Sequence, residues 1–274
     1  MKTDSPIGIF DSGYGGLTVL SEIRKSLPNY DFIYLGDNAR APYGNRSFDL
    51  VYDFTLEAVN YLFSQGCPLV ILACNTASAK ALRTIQQKDL QGIDSTKRVL
   101  GVIRPSAEEI DFLTESKHVG ILGTNGTIQS DSYNIELQKY APEIRVLQHA
   151  CPMWVPLIEN NVYDTEAGKM IIEGDVQKLM MKDPKIDAII LACTHYPILQ
   201  EQIQKIVGGK VKVISQGPIV AKKLALYLEM HQDMDSRISK KGNCSYHTTE
   251  NTLVFDQKAT QFLGEKIHSQ HIDL

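Results

Sequence analysis

The strongest constraint on the fold is a phrase that the chain carries twice, LVILACNTAS at residues 69–78 and AIILACTHYP at 188–197. Each is an apolar run that stops abruptly at Ala-Cys and a small polar residue. Cys74 and Cys193 therefore occupy the same local setting. Two thiols placed alike suggest two opposed acid/base groups, with protons moving on both faces of one small molecule.

These two and six other apolar runs mark eight strands: 6–10, 31–36, 68–73, 98–103, 118–123, 144–149, 187–192 and 210–215. Helical patterns separate them. Parallel strands need long crossovers, so this alternation predicts βαβ units and an α/β fold. Three stripes at helical spacing (Leu17, Leu20, Ile23 and Leu27; Val51, Phe54, Ala58, Tyr61 and Leu62; Ile198, Ile203, Ile206 and Val207) are expected to pack on the sheets.

The duplication reaches beyond the cysteines. GIFDSGYGGLTVLSEI at 8–23 aligns with GILGTNGTIQSDSYNI at 120–135, which sets Asp11 against Gly123 and Ser12 against Thr124. Two pseudo-symmetric domains follow, each a mainly parallel sheet flanked by helices, with the active site in the cleft between them. Residues 1–100 plus 214–274 are expected to form the first and 101–213 the second. The stretch from 216 predicts a turn at Gln216-Gly217-Pro218, a helix from Ile219 to about Met230, a polar segment, then NTLVFDQ and a short helix. This tail is expected to return to the first half.

Composition removes several function classes. Hydrophobic residues make up 43% and charged residues 22%, as in ordinary globular proteins. The net charge of −4 offers no basic stripe, so nucleic acid is not an expected partner. No apolar run reaches the length a membrane span needs, and the N-terminus lacks the pattern of a secretory signal, so a cytoplasmic protein is expected. Five cysteines without CxxC spacing do not form a disulfide framework.

Ligands of open parallel sheets bind beyond the carboxyl ends of strands. Cys74 and Cys193 stand where a strand stops and a helix is expected to start, and the helix dipole would favour a thiolate there. Cys67, Cys151 and Cys244 read as small buried hydrophobes. Cys193 and His195 alternate as in a metal site, but no second Cys/His cluster with ligand spacing accompanies them, so no metal is expected. Asp11 ends the first strand and could orient a thiol or accept a proton. Gly13, Gly15 and Gly16 allow backbone N–H groups close to an anion, although GxGG is not a dinucleotide fingerprint. His195 is a candidate partner for the Cys193 thiol. The loop 37–47, with Tyr43, Gly44 and Arg46, is either a lid over the substrate or an ordinary surface loop.

Taken together, FDSGYGGLTVL, APYGNRS, ILACNTAS, GTNGT, CPMWVPLIE and LACTHYP resemble the glutamate racemases of the cofactor-independent aspartate/glutamate racemase superfamily. The match runs in order over about residues 6–225. The resemblance implies interconversion of L- and D-glutamate without a cofactor, with Cys74 acting on D-glutamate and Cys193 on L-glutamate. It makes Asp11 and His195 auxiliary acid/base groups and adds Asp37 and Glu159 as acidic positions. It assigns substrate contacts to Asp11, Ser12, Tyr43, Gly44, Asn75, Thr76, Thr124, Thr194 and His195. It implies D-glutamate supply for bacterial peptidoglycan and allows a homodimer. The chain departs from the family pattern at Arg104 and in VISQGPIVA at 213–221. The competing readings are a racemase of aspartate or another amino acid, and a binding protein that keeps the fold without activity.

Overall fold

The computed structural model describes residues 5–274. The N-terminal reading above rests partly on residues 1–4, which lie outside the described residues. Among the described residues, ten strands form two sheets. They are β1 (Ile7–Asp11), β2 (Phe32–Gly36), β3 (Leu69–Leu72), β4 (Arg98–Gly101), β5 (His118–Gly123), β6 (Arg145–Ala150), β7 (Ala188–Ala192), β8 (Lys212–Ser215), β9 (Cys244–Thr248) and β10 (Ser269–His271). The first sheet has the order β10-β9-β2-β1-β3-β4 and the second β6-β5-β7-β8, and every pairing is parallel.

The internal repeat is visible in these orders. Strands β2-β1-β3-β4 and β6-β5-β7-β8 carry the same connectivity. In each sheet the chain turns one way from its first strand and the other way to its third. That reversal is the topological switch point at which open α/β sheets bind ligands. It lies between β1 and β3 in one sheet and between β5 and β7 in the other.

Strands buried on both faces explain why the sequence shows continuous apolar runs. Ile7 and Ile9 of β1 face one layer, with Leu17, Leu20 and Ile23 of the Gly16–Ser26 helix and Leu224 of the Gly217–Met230 helix. Phe10 faces the opposite layer, with Val51, Ala58 and Leu62 of the Phe48–Ser64 helix. The second sheet repeats the arrangement. Ile189 and Leu191 pack with Trp154, Ile172 and Ile203, and Ile190 packs with Ile103, Tyr133 and Leu137. Each such side chain contributes about 1.5–3 kcal/mol by burial, so four layers hold the two sheets firmly.

The three helical stripes are buried less evenly than their spacing implied. Phe54, Tyr61, Ile198, Ile206 and Val207 are only partly covered. The tail differs more. CSYHT, which begins in the last two residues of the segment read as polar, DMDSRISKKGNCS, is strand β9 and pairs with β2. NTLVFDQ does not precede a short helix but lies at the start of one, Thr252–Leu263, whose first turn is capped by Asn251 accepting from Leu253 N and Val254 N. Among the described residues, no helix is long and apolar enough to cross a membrane.

Candidate active site

The strand ends at the two switch points open onto one cavity of about 60 Å3, walled by Cys74 and Asn75 from one sheet and Cys193 and Thr194 from the other. A buried water needs roughly 10–15 Å3, so the space suits a small metabolite and excludes a polymer. Ser12, Tyr43, Gly44, Thr76, Thr124, Glu159 and His195 also line it. Asp11 and Asp37 do not. Both carboxylates are fully buried and lie behind the wall.

Cys74 follows β3 and caps the short Asn75–Lys80 helix, its sulfur accepting from Ala77 N at 3.4 Å. Ser12 Oγ, from the loop after β1, lies 3.4 Å from the same sulfur. The helix start was expected to favour a thiolate. Instead, burial pushes the Cys74 thiol up to about 12, and the charge of Asp11 adds to it. The bonds from Ser12 and Ala77 offset only part of that rise. A helix of six residues carries too small a dipole to outweigh the loss of water around the sulfur.

Cys193 differs in its surroundings. The helix expected directly after it begins only at Gln200, because Tyr196–Leu199 form a tighter 3-10 turn. Its sulfur lies 4.0 Å from His195 Nδ1, and His195 Nε2 lies 2.9 Å from Glu159 Oε1. Burial alone would lower the His195 pKa. The contacts with Cys193 and Glu159 outweigh it and hold the imidazole at about 10, so His195 keeps its extra proton at neutral pH. The same contact, against the effect of burial, holds the Glu159 carboxyl below its ordinary range.

Asp11 ties the halves together. Its Oδ2 accepts from Gly13 N at 2.9 Å and its Oδ1 from Thr194 Oγ1 at 3.2 Å. Burial nevertheless raises its pKa, with His195 opposing. Thr124 Oγ1 meets Thr76 Oγ1 at 2.9 Å, a second bridge that joins the loop after β5 to the loop after β3, as Asp11 and Thr194 join the loops after β1 and β7. The 37–47 loop is not an ordinary surface loop, since Tyr43 is buried in the wall and donates its hydroxyl to Asp37. Arg40 and Thr249 hold the same carboxylate, with Arg40 Nε at 2.7 Å and Thr249 Oγ1 at 2.9 Å.

The sequence reading missed part of the wall. Pro42, Cys151, Val155 and Pro156 give it an apolar side. The sequence reads Cys151 as a packing residue, and of CPMWVPLIE it singles out Glu159 alone. All five cysteines are free, with Cys67 and Cys151 buried as expected and Cys244 partly exposed. Folding also assembles a cluster of His149, Cys151 and Asp175, whose ligand-type atoms lie within 4.8 Å of one another; a second Cys/His pair is therefore present, since His149 and Cys151 alternate as Cys193 and His195 do, and Asp175 joins it only in the fold. Its donors and acceptors are already paired. His149 Nε2 lies 3.1 Å from Asp175 Oδ1, and Trp154 Nε1 and Lys178 Nζ donate to the same carboxylate at 3.0 and 3.3 Å. An ammonium on the carboxylate favours an ion-paired packing cluster over a cation site.

Known proteins carry the same architecture. The Asp/Glu/Hydantoin racemase family model matches residues 16–224. A glutamate racemase of Streptococcus uberis is 39% identical over 269 residues, covering 98% of each chain. The crystal structure of a glutamate racemase isoform from Bacillus anthracis superposes with a TM-score of 0.90 at 35% identity, covering 100% of this chain and 99% of the other. A glutamate racemase from Francisella tularensis, solved in complex with D-glutamate, superposes with a TM-score of 0.84 at 32% identity, covering 99% and 97%. Matched along its whole length in both sequence and fold, this chain belongs to the Asp/Glu/hydantoin racemase family, on its glutamate racemase branch.

Proposed function

We propose that this protein interconverts L- and D-glutamate by moving the α-proton between Cys74 and Cys193, without a cofactor. The observation that carries the reading is that both thiols, one from each sheet's switch point, open onto the same small cavity. Relatives named glutamate racemase, and the one solved with D-glutamate, support glutamate as the substrate.

In this reading, Cys193 as thiolate takes the α-proton of L-glutamate, and the bond's electron pair stays on the α-carbon. The Cys74 thiol then gives its proton to the opposite face. The resting state of Cys74 fits the second step, because burial keeps it protonated at neutral pH. D-glutamate runs the sequence in reverse. An α-proton beside a carboxylate is very weakly acidic, so the developing charge needs fixed donors. Ser12, Asn75, Thr76, Thr124 and Thr194 stand around the cavity to supply them. His195, paired with Glu159, is placed to pass a proton to or from Cys193. Asp11 and Asp37 would act as positioning groups, Asp11 through Thr194 and Asp37 through Tyr43.

The division into 1–100 plus 214–274 and 101–213 belongs to the same proposal, as does the supply of D-glutamate to peptidoglycan synthesis in the cytoplasm by a protein able to form a homodimer. The chain passes from the first sheet to the second after β4 and returns after β8, which supports that division.

The test is racemisation of L-glutamate in D2O by the protein without added cofactor, followed by circular dichroism and by deuterium uptake at the α-carbon. Cys74→Ser and Cys193→Ser are each expected to lower turnover about 10^2–10^4-fold. Near-native turnover by either variant would overturn the assigned roles. Aspartate in the same assay separates the competing substrate, with glutamate expected to turn over faster.

A further inference from the structure

We infer that Gln216, which does not touch the cavity, is a positioning residue for the reaction and acts by locking the side chain of Asn75. The inference rests on the proposed racemase reading and extends it to a residue outside the cavity wall. Asn75 follows Cys74 directly and lines the cavity. Asn75 Nδ2 donates to Gln216 Oε1 at 2.7 Å, Gln216 Nε2 donates to Tyr133 Oη at 2.7 Å, and Tyr133 Oη donates to Asn75 Oδ1 at 2.8 Å. The three side chains close a ring in which every donor points the same way round. All three are buried, with Tyr133 fully covered, Asn75 2% exposed and Gln216 4% exposed.

Two contacts together admit one orientation of the Asn75 amide. Turned over alone, its carbonyl oxygen would face Gln216 Oε1, and turned over together with the Gln216 amide, Gln216 Oε1 would face the carbonyl oxygen of Val102. Hydrogen bonds linked head to tail also polarise one another, which stiffens the arrangement. The ring engages one of the two Nδ2 hydrogens and fixes where the other can point.

The ring is anchored where the two sheets are joined. Gln216 opens the return crossover after β8, and its Nε2 also reaches Val102 O at 3.1 Å and Ser106 Oγ at 2.7 Å, both on the outward crossover after β4. Tyr133 belongs to the Ser132–Tyr140 helix on the second sheet, and Asn75 to the first. One side-chain amide thus joins both crossovers to the residue next to Cys74. A shift between the halves would reach Asn75 through Gln216 before it reached the sulfur.

The test compares Gln216→Leu, Tyr133→Phe and Asn75→Ala with the native protein, each with its unfolding midpoint measured. Enantiomers have equal free energies, so kcat/KM must fall by the same factor in both directions. Gln216→Leu is expected to lower it at least about tenfold, the scale of a small misplacement in an active site. In the Asn75→Ala background, the same change is expected to alter it less than about twofold, because residues acting as one unit are not additive. A merely structural role would lower the unfolding midpoint without that loss of additivity. Tyr133→Phe removes one hydroxyl and keeps the ring system in place, so it carries the test if Gln216→Leu does not fold. Turnover within about twofold of native in both variants would overturn the inference, as would independent losses from Gln216→Leu and Asn75→Ala. Native turnover is scored first. Its absence sinks the racemase reading, whereas native turnover with unaffected variants sinks only the role of Gln216.

Discussion

At the scale of single residues, the two thiols share a sequence setting and differ in chemistry. Cys74 sees Ser12, a backbone N–H and the charge of a buried carboxylate, whereas Cys193 sees an imidazolium. The pair His195–Glu159 has a pH signature whose sign can be worked out. His195 is raised from 6.5 to about 10, so its stabilising contribution is full below about pH 6.5 and is lost as pH rises through about 10. Glu159 is lowered from 4.5, so its contribution is present above about pH 4.5 and is lost as pH falls through the folded value. The difference in unfolding free energy between the native protein and Glu159→Gln should therefore form a plateau near pH 5–6.5 and shrink toward pH 10. Urea unfolding at pH 6, 8 and 10 measures it, and a flat difference would mean that the contact does not hold the imidazole cationic.

At the scale of elements, the returning tail does more than cover an edge. Strand β9 extends the first sheet beside β2, and just past its end Thr249 donates to Asp37 and accepts from Ala39 N at 3.0 Å. Asp37 in turn holds Tyr43 in the cavity wall. Thr249→Val keeps the volume and removes the hydroxyl. It should cost about 1–3 kcal/mol, because a buried carboxylate oxygen and a backbone N–H lose their partner. KM for glutamate should rise with it, as the Tyr43 loop loosens, while unfolding remains cooperative. A thermal melt and a substrate titration check both parts, and an unchanged KM would show that the loop does not depend on the tail.

At the scale of the whole molecule, function depends on how closely the halves approach. Gly15, in the loop after β1, has no room for a side chain, since an added Cβ would lie 2.3 Å from His195 Nδ1 and 2.4 Å from Thr194 Oγ1. Its φ of −58° is ordinary, so the requirement is contact between halves and not backbone strain. Thr18 Oγ1 reinforces that contact by donating to Thr194 O at 2.9 Å. Gly15→Ala should displace the Thr194–His195 turn, lowering kcat/KM by about 10^2-fold, with a stability loss of about 1–3 kcal/mol from overpacking. Steady-state kinetics with a chemical melt checks it, and near-native turnover would show that the halves can separate locally at no cost to the reaction.

What the sequence determined by itself was the architecture and part of the cavity wall. Continuous apolar runs ending in Ala-Cys are strands buried on both faces, and the doubled phrase places equivalent residues at equivalent strand ends. Local patterns carry that information because burial and strand ends are read along the chain. Strand β9 was not legible, since CSYHT has no apolar run and becomes a strand only through pairing with β2. Nor were the protonation of Cys74, the withdrawal of Asp11 and Asp37 behind the wall, the His149–Cys151–Asp175 cluster, or the ring of Asn75, Tyr133 and Gln216. Each depends on which groups are brought together from separate stretches of chain, 26 positions apart for His149 and Asp175 and 58 for Asn75 and Tyr133, or on how completely water is excluded around one atom. Only the packing of the two sheets against each other sets those.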